Sequence, residues 1–333
     1  MNPQTTSQVP ALELRDLRTE FRVGGQWYAA ARDVSLKVDR NETLAVVGES
    51  GSGKSVTALS ILRLLPEGAT RHGAGQILLD GEDLTVLSEK QMAKLRGKEI
   101  AMIFQEPMTS LNPTMTVGDQ IAEAIQQHRR LSGKEARRLA LEVLDEVKIP
   151  GAAKRFDHYP HQFSGGMRQR VMIAMALACK PRVLLADEPT TALDVTIQAQ
   201  ILSLLSELKS AHGMAVVFIT HNLGVVAQIA DRVAVMYAGE VVEIADVKTL
   251  FAKPTHPYTE ALLRAMPRMD ADSDTLEPIP GGVPAITAMP KGCAFAPRCR
   301  LKEARCETER PKLTRIGDQH EVRCVVRAEQ FEA

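Results

Sequence analysis

The 333 residues predict an α/β fold organised on a parallel sheet, and three observations lead there. From residue 167 onward helical and strand-like runs alternate: helix 167–179, strand Val183–Asp187, helix Val195–His212, strand Ala215–Thr220, helix 223–230 and strand 233–237. Such alternation belongs to a parallel sheet covered on both faces. A glycine-rich loop, Gly48-Glu49-Ser50-Gly51-Ser52-Gly53-Lys54-Ser55, stands between the apolar strand Thr43–Val47 and a helix that buries Leu59, Ile61, Leu62 and Leu65. The composition, 44% hydrophobic and 25% charged, is that of a globular chain large enough to bury a core without disulfides.

The remaining elements follow in order. Strands are expected at 12–21 and 33–38, with turns at Gly24-Gly25 and Arg40-Asn41. The helix 56–65 that follows the glycine-rich loop ends at Pro66 and Gly68. Helices over 85–96 and 117–149, richer in charge and closed by Pro150-Gly151, read as a helical insert. Ala238-Gly239 joins 233–237 to 241–245 as a hairpin at a sheet edge. Beyond about residue 255 prolines and turns replace periodic runs, so the remainder is expected as a separate, loop-rich appendage.

Charge and hydropathy narrow the function classes. Lys plus Arg equal Asp plus Glu at 41 each, which argues against a broad nucleic-acid-binding surface. Residues 1–10 are polar and lack the apolar stretch of a secretory signal, so a cytoplasmic protein is expected. The most apolar run, 171–179, is far shorter than the roughly 20 residues needed to cross a bilayer, so any membrane role is expected through partners.

The glycine-rich loop fits a phosphate-binding loop. Its glycines let backbone N–H groups turn toward phosphates at the start of a helix that opens with Lys54, Ser55 and Val56; Lys54 can reach the β/γ oxygens and Ser55 can ligate Mg²⁺. The strand Val183–Asp187 runs directly into Glu188, so two acids stand at its end. There Asp187 can hold Mg²⁺ and Glu188 can orient and polarise the attacking water, because phosphoryl transfer depends on positioning and charge neutralisation. Gln105, after a strand-like run at 100–104, can contact Mg²⁺ or that water, although a single Gln is commonly a surface residue. Ser164-Gly165-Gly166 opens a second helix suited to an anion. One nucleotide rarely needs two such helix starts from one subunit, so the simplest use of the second is in trans, on a nucleotide held by a partner; alone, Ser-Gly-Gly is also a common flexible turn.

In this order the motifs resemble the ATP-binding cassette (ABC) family over residues 10 to 250: the phosphate loop, Gln105 in the Q-loop, Ser164-Gly165-Gly166 in the signature, Asp187-Glu188, Ala192-Leu193-Asp194 in the D-loop and His221 in the switch position. Phe163 and Met167 stand where the commonest signature has Leu and Gln, and Asn222 where Asp commonly follows the switch histidine. None of these removes a group that touches phosphate. Phe21 matches the adenine-stacking aromatic of the family, with Trp27 and Tyr28 as competitors.

Within the family, Phe104-Gln105-Glu106-Pro107-Met108-Thr109-Ser110-Leu111-Asn112-Pro113, Ser164-Gly165-Gly166-Met167-Arg168-Gln169-Arg170, Asp194-Val195-Thr196-Ile197-Gln198-Ala199-Gln200 and His256-Pro257-Tyr258-Thr259 are similar to the dipeptide/oligopeptide import ATPases. The resemblance implies an α/β core over 1–90 and 165–254, a Q-loop and helical subdomain over 91–164, and a C-terminal extension over 255–333. It also implies ATP and Mg²⁺ as cofactors, Glu188, His221 and Gln105 as catalytic residues, and Asp194 and the signature residues as nucleotide contacts. The partners implied are a second, related ATPase, two membrane permeases and an external substrate-binding protein, at the cytoplasmic face of the inner membrane. Other cargo of the same importer group, such as a nickel complex or haem, and a non-transport ABC ATPase stay open as alternatives.

Four of the five cysteines crowd near the C-terminus, as Cys293-x5-Cys299-x6-Cys306-x17-Cys324. Four thiols in a segment without periodicity suit a metal that supplies folding energy. Zinc sites favour shorter spacings, and the wider ones, together with similarity to cluster-bearing members of the importer group, favour a [4Fe–4S] centre. Structural zinc is the alternative, and free or oxidised thiols the third reading. Cys179, on an apolar helix, reads as a packing residue.

Overall fold

The computed structural model describes residues 9–106, 110–191, 193–265 and 278–331; Pro107, Met108 and Thr109 and the Ala192 of the D-loop motif lie outside them. The chain forms two compact units, one of residues 1–12, 38–42 and 86–218 and one of residues 13–37, 43–85 and 219–333.

The second unit begins with β1 (Leu12–Val23) and β2 (Gln26–Val38), joined through Gly24 and Gly25 at positive φ. β2 starts well before the predicted residue 33. The stretch Trp27-Tyr28-Ala29-Ala30-Ala31 lacks a clear alternation, and pairing with a neighbouring strand overrides weak local propensity. The wholly buried β3 (Thr43–Val47) leads into α1 (Lys54–Ile61), followed by β4 (Thr70–Leu79) and β5 (Glu82–Asp83). One sheet runs β2-β1-β4-β5.

In the first unit α2 (Glu89–Leu95) starts with a capping box between Ser88 and Gln91. After β6 (Ile100–Ile103) come α3 (Val117–Arg129), α4 (Gly133–Glu146), α5 (Ala152–Arg155) and α6 (Gly165–Leu177). Then follow β7 (Val183–Asp187), α7 (Val195–His212) and β8 (Ala215–Thr220). β6 and β7 pair in parallel, Ile100 opposite Val183 and Ile103 opposite Ala186, and β8 lies beside β7. The mostly helical stretch expected over 117–149 is two helices. Arg130 takes a left-handed conformation after α3, and Ser132 caps α4 by accepting from the Glu135 amide while the Glu135 carboxylate accepts from the Ser132 amide. The apolar faces thus form a helical hairpin, with Ile121 and Ile125 buried on α3 and Ala140 and Leu144 on α4.

The chain then returns to the second unit through α8 (Leu223–Ile229), β9 (Arg232–Tyr237), β10 (Glu240–Asp246), α9 (Val247–Ala252) and α10 (Pro257–Arg264). It closes with α11 (Arg305–Thr308), β11 (Thr314–Gly317), β12 (His320–Val322) and α12 (Val325–Ala328). These strands and β3 run β11-β12-β10-β9-β3, parallel between β3 and β9 and antiparallel elsewhere.

The segment after residue 255, expected as a separate appendage, is built into this unit. β12 covers the edge of β10, with Glu243 opposite Val322, so backbone groups of that edge gain partners. Tyr258, Ala294 and Phe295 enter the apolar core that also holds Val47 and Val235. The Glu243 carboxylate, fully buried, accepts from the amides of Thr255 and His256 at 2.8 and 2.9 Å and from His320 Nε2 at 2.9 Å. Burial alone would raise its pKa; the hydrogen bonds outweigh that and hold it below the usual carboxylate range.

Candidate functional site

The second unit carries the phosphate loop. A Cβ on Gly48, which has φ 154, would stand 2.2 Å from the Met236 carbonyl oxygen, so close approach of β9 requires a glycine there. Gly53, at φ 99, is the N-cap of α1 and offers no side-chain cap, leaving the first amides of the helix available to an anion. Ser52 is fully buried and its carbonyl accepts from the Gly239 amide at 2.9 Å, tying the loop to the β9–β10 turn. Lys54, 7% exposed, folds back into the loop: Nζ donates to the carbonyls of Gly48 and Glu49 at 2.8 and 2.9 Å and to Ser52 Oγ at 3.3 Å. These carbonyl and hydroxyl acceptors hold the ammonium whose N–H groups a phosphate would engage. Ser50, Gly51 and Ser55 are exposed, and Val56 is half-buried.

Other residues of this unit sort themselves by their contacts. Phe21 is half-buried. Trp27 lies under the Arg71 guanidinium at 4.5 Å, and Tyr28 donates its hydroxyl to Gln26 Oε1 at 2.8 Å, so both competing aromatics have local engagements. His221 is exposed. Asn222 caps α8, its Oδ1 accepting from the amides of Gly224 and Val225 at 3.0 and 3.4 Å, a task an aspartate would perform equally.

The first unit carries the strand-end acids. Asp187 ends β7 and is 7% exposed. Glu188 has φ 46, a left-handed conformation that turns the chain sharply off the strand. Its Oε2 accepts from Gln105 Nε2 at 3.0 Å and from Thr191 Oγ1 at 2.9 Å. Gln105 and Glu188, 83 residues apart, thus meet because β6 and β7 are parallel neighbours. Thr191 was not expected from the sequence; its signal was its place three residues after the acid, where a turn brings the hydroxyl back.

The signature segment also lies here. Ser164 is exposed and spends no side-chain bond on capping α6, and a Cβ on Gly165 would meet open space. Gly166 differs: a Cβ there would lie 2.7 Å from Ile197 Cγ2, so it lets α6 pack against the start of α7. Asp194 caps α7 through the Ile197 amide at 2.9 Å. Phe163 is buried, filling the place of the commoner leucine with another apolar side chain.

The four C-terminal cysteines line one cavity. All are free, Cys306 and Cys324 buried and Cys293 and Cys299 half-buried. A Cβ on Gly292 would come within 2.3 Å of the Cys306 carbonyl oxygen, which shows how closely the two stretches pass. Burial pushes the Cys293 thiol up to about 12, against the amides of Phe295 and Ala296 that face its sulfur. Burial likewise raises Cys299, opposed by the Leu301 amide, and Cys324, opposed by those of Arg327 and Val326. Among the described residues, however, no group of three His, Cys, Asp or Glu side chains is arranged to hold a metal ion. The expected metal centre therefore has its thiols around a shared cavity but not converged on a point. Cys179 packs in the first unit, burial raising its thiol too.

Comparison with known proteins agrees with these features. Residues 31–191 match the ABC transporter family, and residues 242–306 match the oligopeptide/dipeptide transporter C-terminal region. A peptide import ATP-binding protein of Brucella melitensis biotype 1 is 52% identical over 330 residues, 96% of this chain and 98% of the relative. Another, from Brucella abortus, is 51% identical over 308 residues, 92% of each. Among solved structures, a dimeric ATP-binding cassette in a post-hydrolysis state bound to ADP and Pi has TM-score 0.63 at 30% identity, covering 71% of this chain and 98% of that one. A protein from Clostridium perfringens that is part of an ABC transporter complex has TM-score 0.62 at 26% identity, covering 73% of this chain and 91% of that one. The chain belongs to the ABC transporter family, among its oligopeptide/dipeptide ATP-binding proteins.

Proposed function

We propose that this chain is the ATP-hydrolysing subunit that powers import of dipeptides or oligopeptides through a membrane ABC transporter. The observation that carries the reading is the pair of prepared elements: a phosphate loop closed on the buried Lys54, and a strand-end Glu188 held by Gln105 and Thr191. In this reading the amides and side chains of residues 48–56 bind the phosphates, with Phe21 on the adenine. Ser55, Asp187 and Gln105 hold Mg²⁺, which neutralises charge developing on the transferred phosphoryl group. Glu188 polarises the water, with His221 in the switch position as a further catalytic residue. Ser164, Gly165, Gly166 and Asp194 serve the nucleotide of a second, homologous ATPase. Two permeases and an external binding protein complete the assembly, nucleic acid having no part in it. The chain's place is peripheral, on the permeases at the cytoplasmic face of the inner membrane, a reading supported by its likeness to peptide import ATP-binding proteins; no helix among the described residues is long and apolar enough to cross a membrane. The core of 1–90 and 165–254 carries the phosphate loop and the strand-end acids, the helical subdomain of 91–164 faces the permeases, and the extension of 255–333 is built onto residues 219–254 rather than standing apart.

Ser164→Arg tests the reading and its division between subunits together. In proteoliposomes holding the permeases and both ATPases, labelled dipeptide should accumulate only with ATP. The variant should abolish uptake and hydrolysis at the partner's site while this chain's own ATP affinity stays within about twofold, since Ser164 is exposed and caps nothing. Unimpaired uptake would defeat the assignment.

The same reading extends to a [4Fe–4S] centre on Cys293, Cys299, Cys306 and Cys324. It is supported by the shared cavity and by backbone amides facing three of the sulfurs, which favour thiolates once a cation offsets their burial. Structural zinc is the alternative, and no group of three His, Cys, Asp or Glu side chains among the described residues is arranged for either metal. Bound there, the cluster would supply folding energy to a segment poor in regular structure. Anaerobically purified protein should carry about four irons per chain, and Cys299→Ser should lose them and become protease-sensitive after Pro280 while still binding nucleotide. Iron-free protein with one zinc, or with no metal, would overturn the cluster.

A further inference from the structure

The phosphate loop contains an acid, Glu49, at a place where a negative charge opposes phosphate binding. The acid is engaged by the C-terminal segment, 249 residues away in sequence. Arg298 forks onto it, Nη1 donating to Oε2 at 2.6 Å and Nη2 to Oε1 at 3.1 Å. The guanidinium side chain is 5% exposed and is itself held in place: Nε donates to the Pro280 carbonyl at 2.8 Å and Nη2 to that of Ile279 at 3.2 Å. Its cationic carbon lies 5.6 Å from the Tyr237 ring and 6.0 Å from that of Phe295. The backbone of the same residue is tied as well, the Glu49 amide donating to the Tyr258 hydroxyl at 2.9 Å. Tyr237, Tyr258 and Phe295 pack as a trio with centroids 4.7 to 5.3 Å apart, so the anchors share one rigid apolar bed. The Glu49 carbonyl meanwhile accepts from Lys54, which puts the brace on a residue that the phosphate-loop lysine itself contacts.

We propose that Arg298 is a positioning residue for the nucleotide site: it neutralises Glu49 and draws it aside, so that the loop meets phosphate without an internal repelling charge. The inference rests on the reading of residues 48–55 as the nucleotide site and adds the C-terminal segment to its machinery. Arg298 touches no nucleotide in this scheme; it acts only through Glu49.

The test is ATP affinity of the full-length chain, measured by titration with hydrolysis suppressed by EDTA. Arg298→Met should weaken binding about tenfold, the order of one like charge released a few ångströms from the phosphates. Adding Glu49→Gln to Arg298→Met should recover most of that loss, because the uncompensated acid is gone. Arg298→Lys, which keeps a charge but loses the fork, should fall between Arg298→Met and wild type. A merely structural arginine would not be rescued by removing an acid. If Arg298→Met fails to fold, Arg298→Gln, still able to donate to the nearby carbonyls, takes its place with the same rescue. Unchanged affinity in a folded variant, or a loss that Glu49→Gln does not recover, overturns the proposal. Wild-type protein that binds no ATP defeats instead the reading of the loop itself.

Discussion

Glu188→Gln is expected to lower ATP turnover by about 10² to 10³-fold while leaving ATP affinity close to wild type. The substitution is nearly silent for the structure. An amide oxygen can still accept from Gln105 Nε2 and Thr191 Oγ1, now at 3.0 and 2.9 Å, and the left-handed backbone at this position is unaffected. What disappears is the negative charge that polarises water, so the effect should fall on kcat and spare binding. ATP-bound dimer should consequently accumulate, visible as a shift on size exclusion with Mg-ATP. Turnover within a fewfold of wild type would remove Glu188 from the reaction.

Lys54→Ala should have the opposite signature, weakening ATP affinity by about 10²-fold or more, since charge-assisted bonds to phosphate are among the strong ones. The loop's geometry explains why the loss should not be confined to one contact. Nζ holds the carbonyls of Gly48 and Glu49 and the Ser52 hydroxyl, so its removal leaves three acceptors of the loop without their common donor. Titration of the folded variant with labelled ATP separates this from Glu188→Gln. Equal affinity for the two variants would contradict the division between a phosphate-holding lysine and a water-polarising acid.

Several elements were legible because their boundaries are chemical. Strands Thr43–Val47, Val183–Asp187 and Ala215–Thr220 and helix Val195–His212 have the bounds expected, each apolar run ending at a turn, a cap or an acid. The break at Arg130 was not read from the sequence, although the polar run Gln126–Arg130 and the Ser132-to-Glu135 box are the signals that divide 117–149. The early start of β2 escaped for the opposite reason, its alanines carrying little strand preference until a neighbouring strand pairs with them.

By itself, the sequence determined which residues suggest the chemistry: loop residues 48–55, the acids Asp187 and Glu188, the serine and glycines at 164–166 and the four clustered cysteines are short-range patterns whose meaning depends on residue type and spacing. Tertiary structure alone decided which of these side chains meet and what braces them. Parallel pairing of β6 with β7 set Gln105 on Glu188. Packing of the segment after 255 against β10 and the aromatic trio set Arg298 on Glu49 and Tyr258 on the loop's backbone. The physical reason is that these contacts span 83, 249 and 209 residues. No local propensity encodes such pairs; they form when the folded core brings distant polar groups within reach of one another.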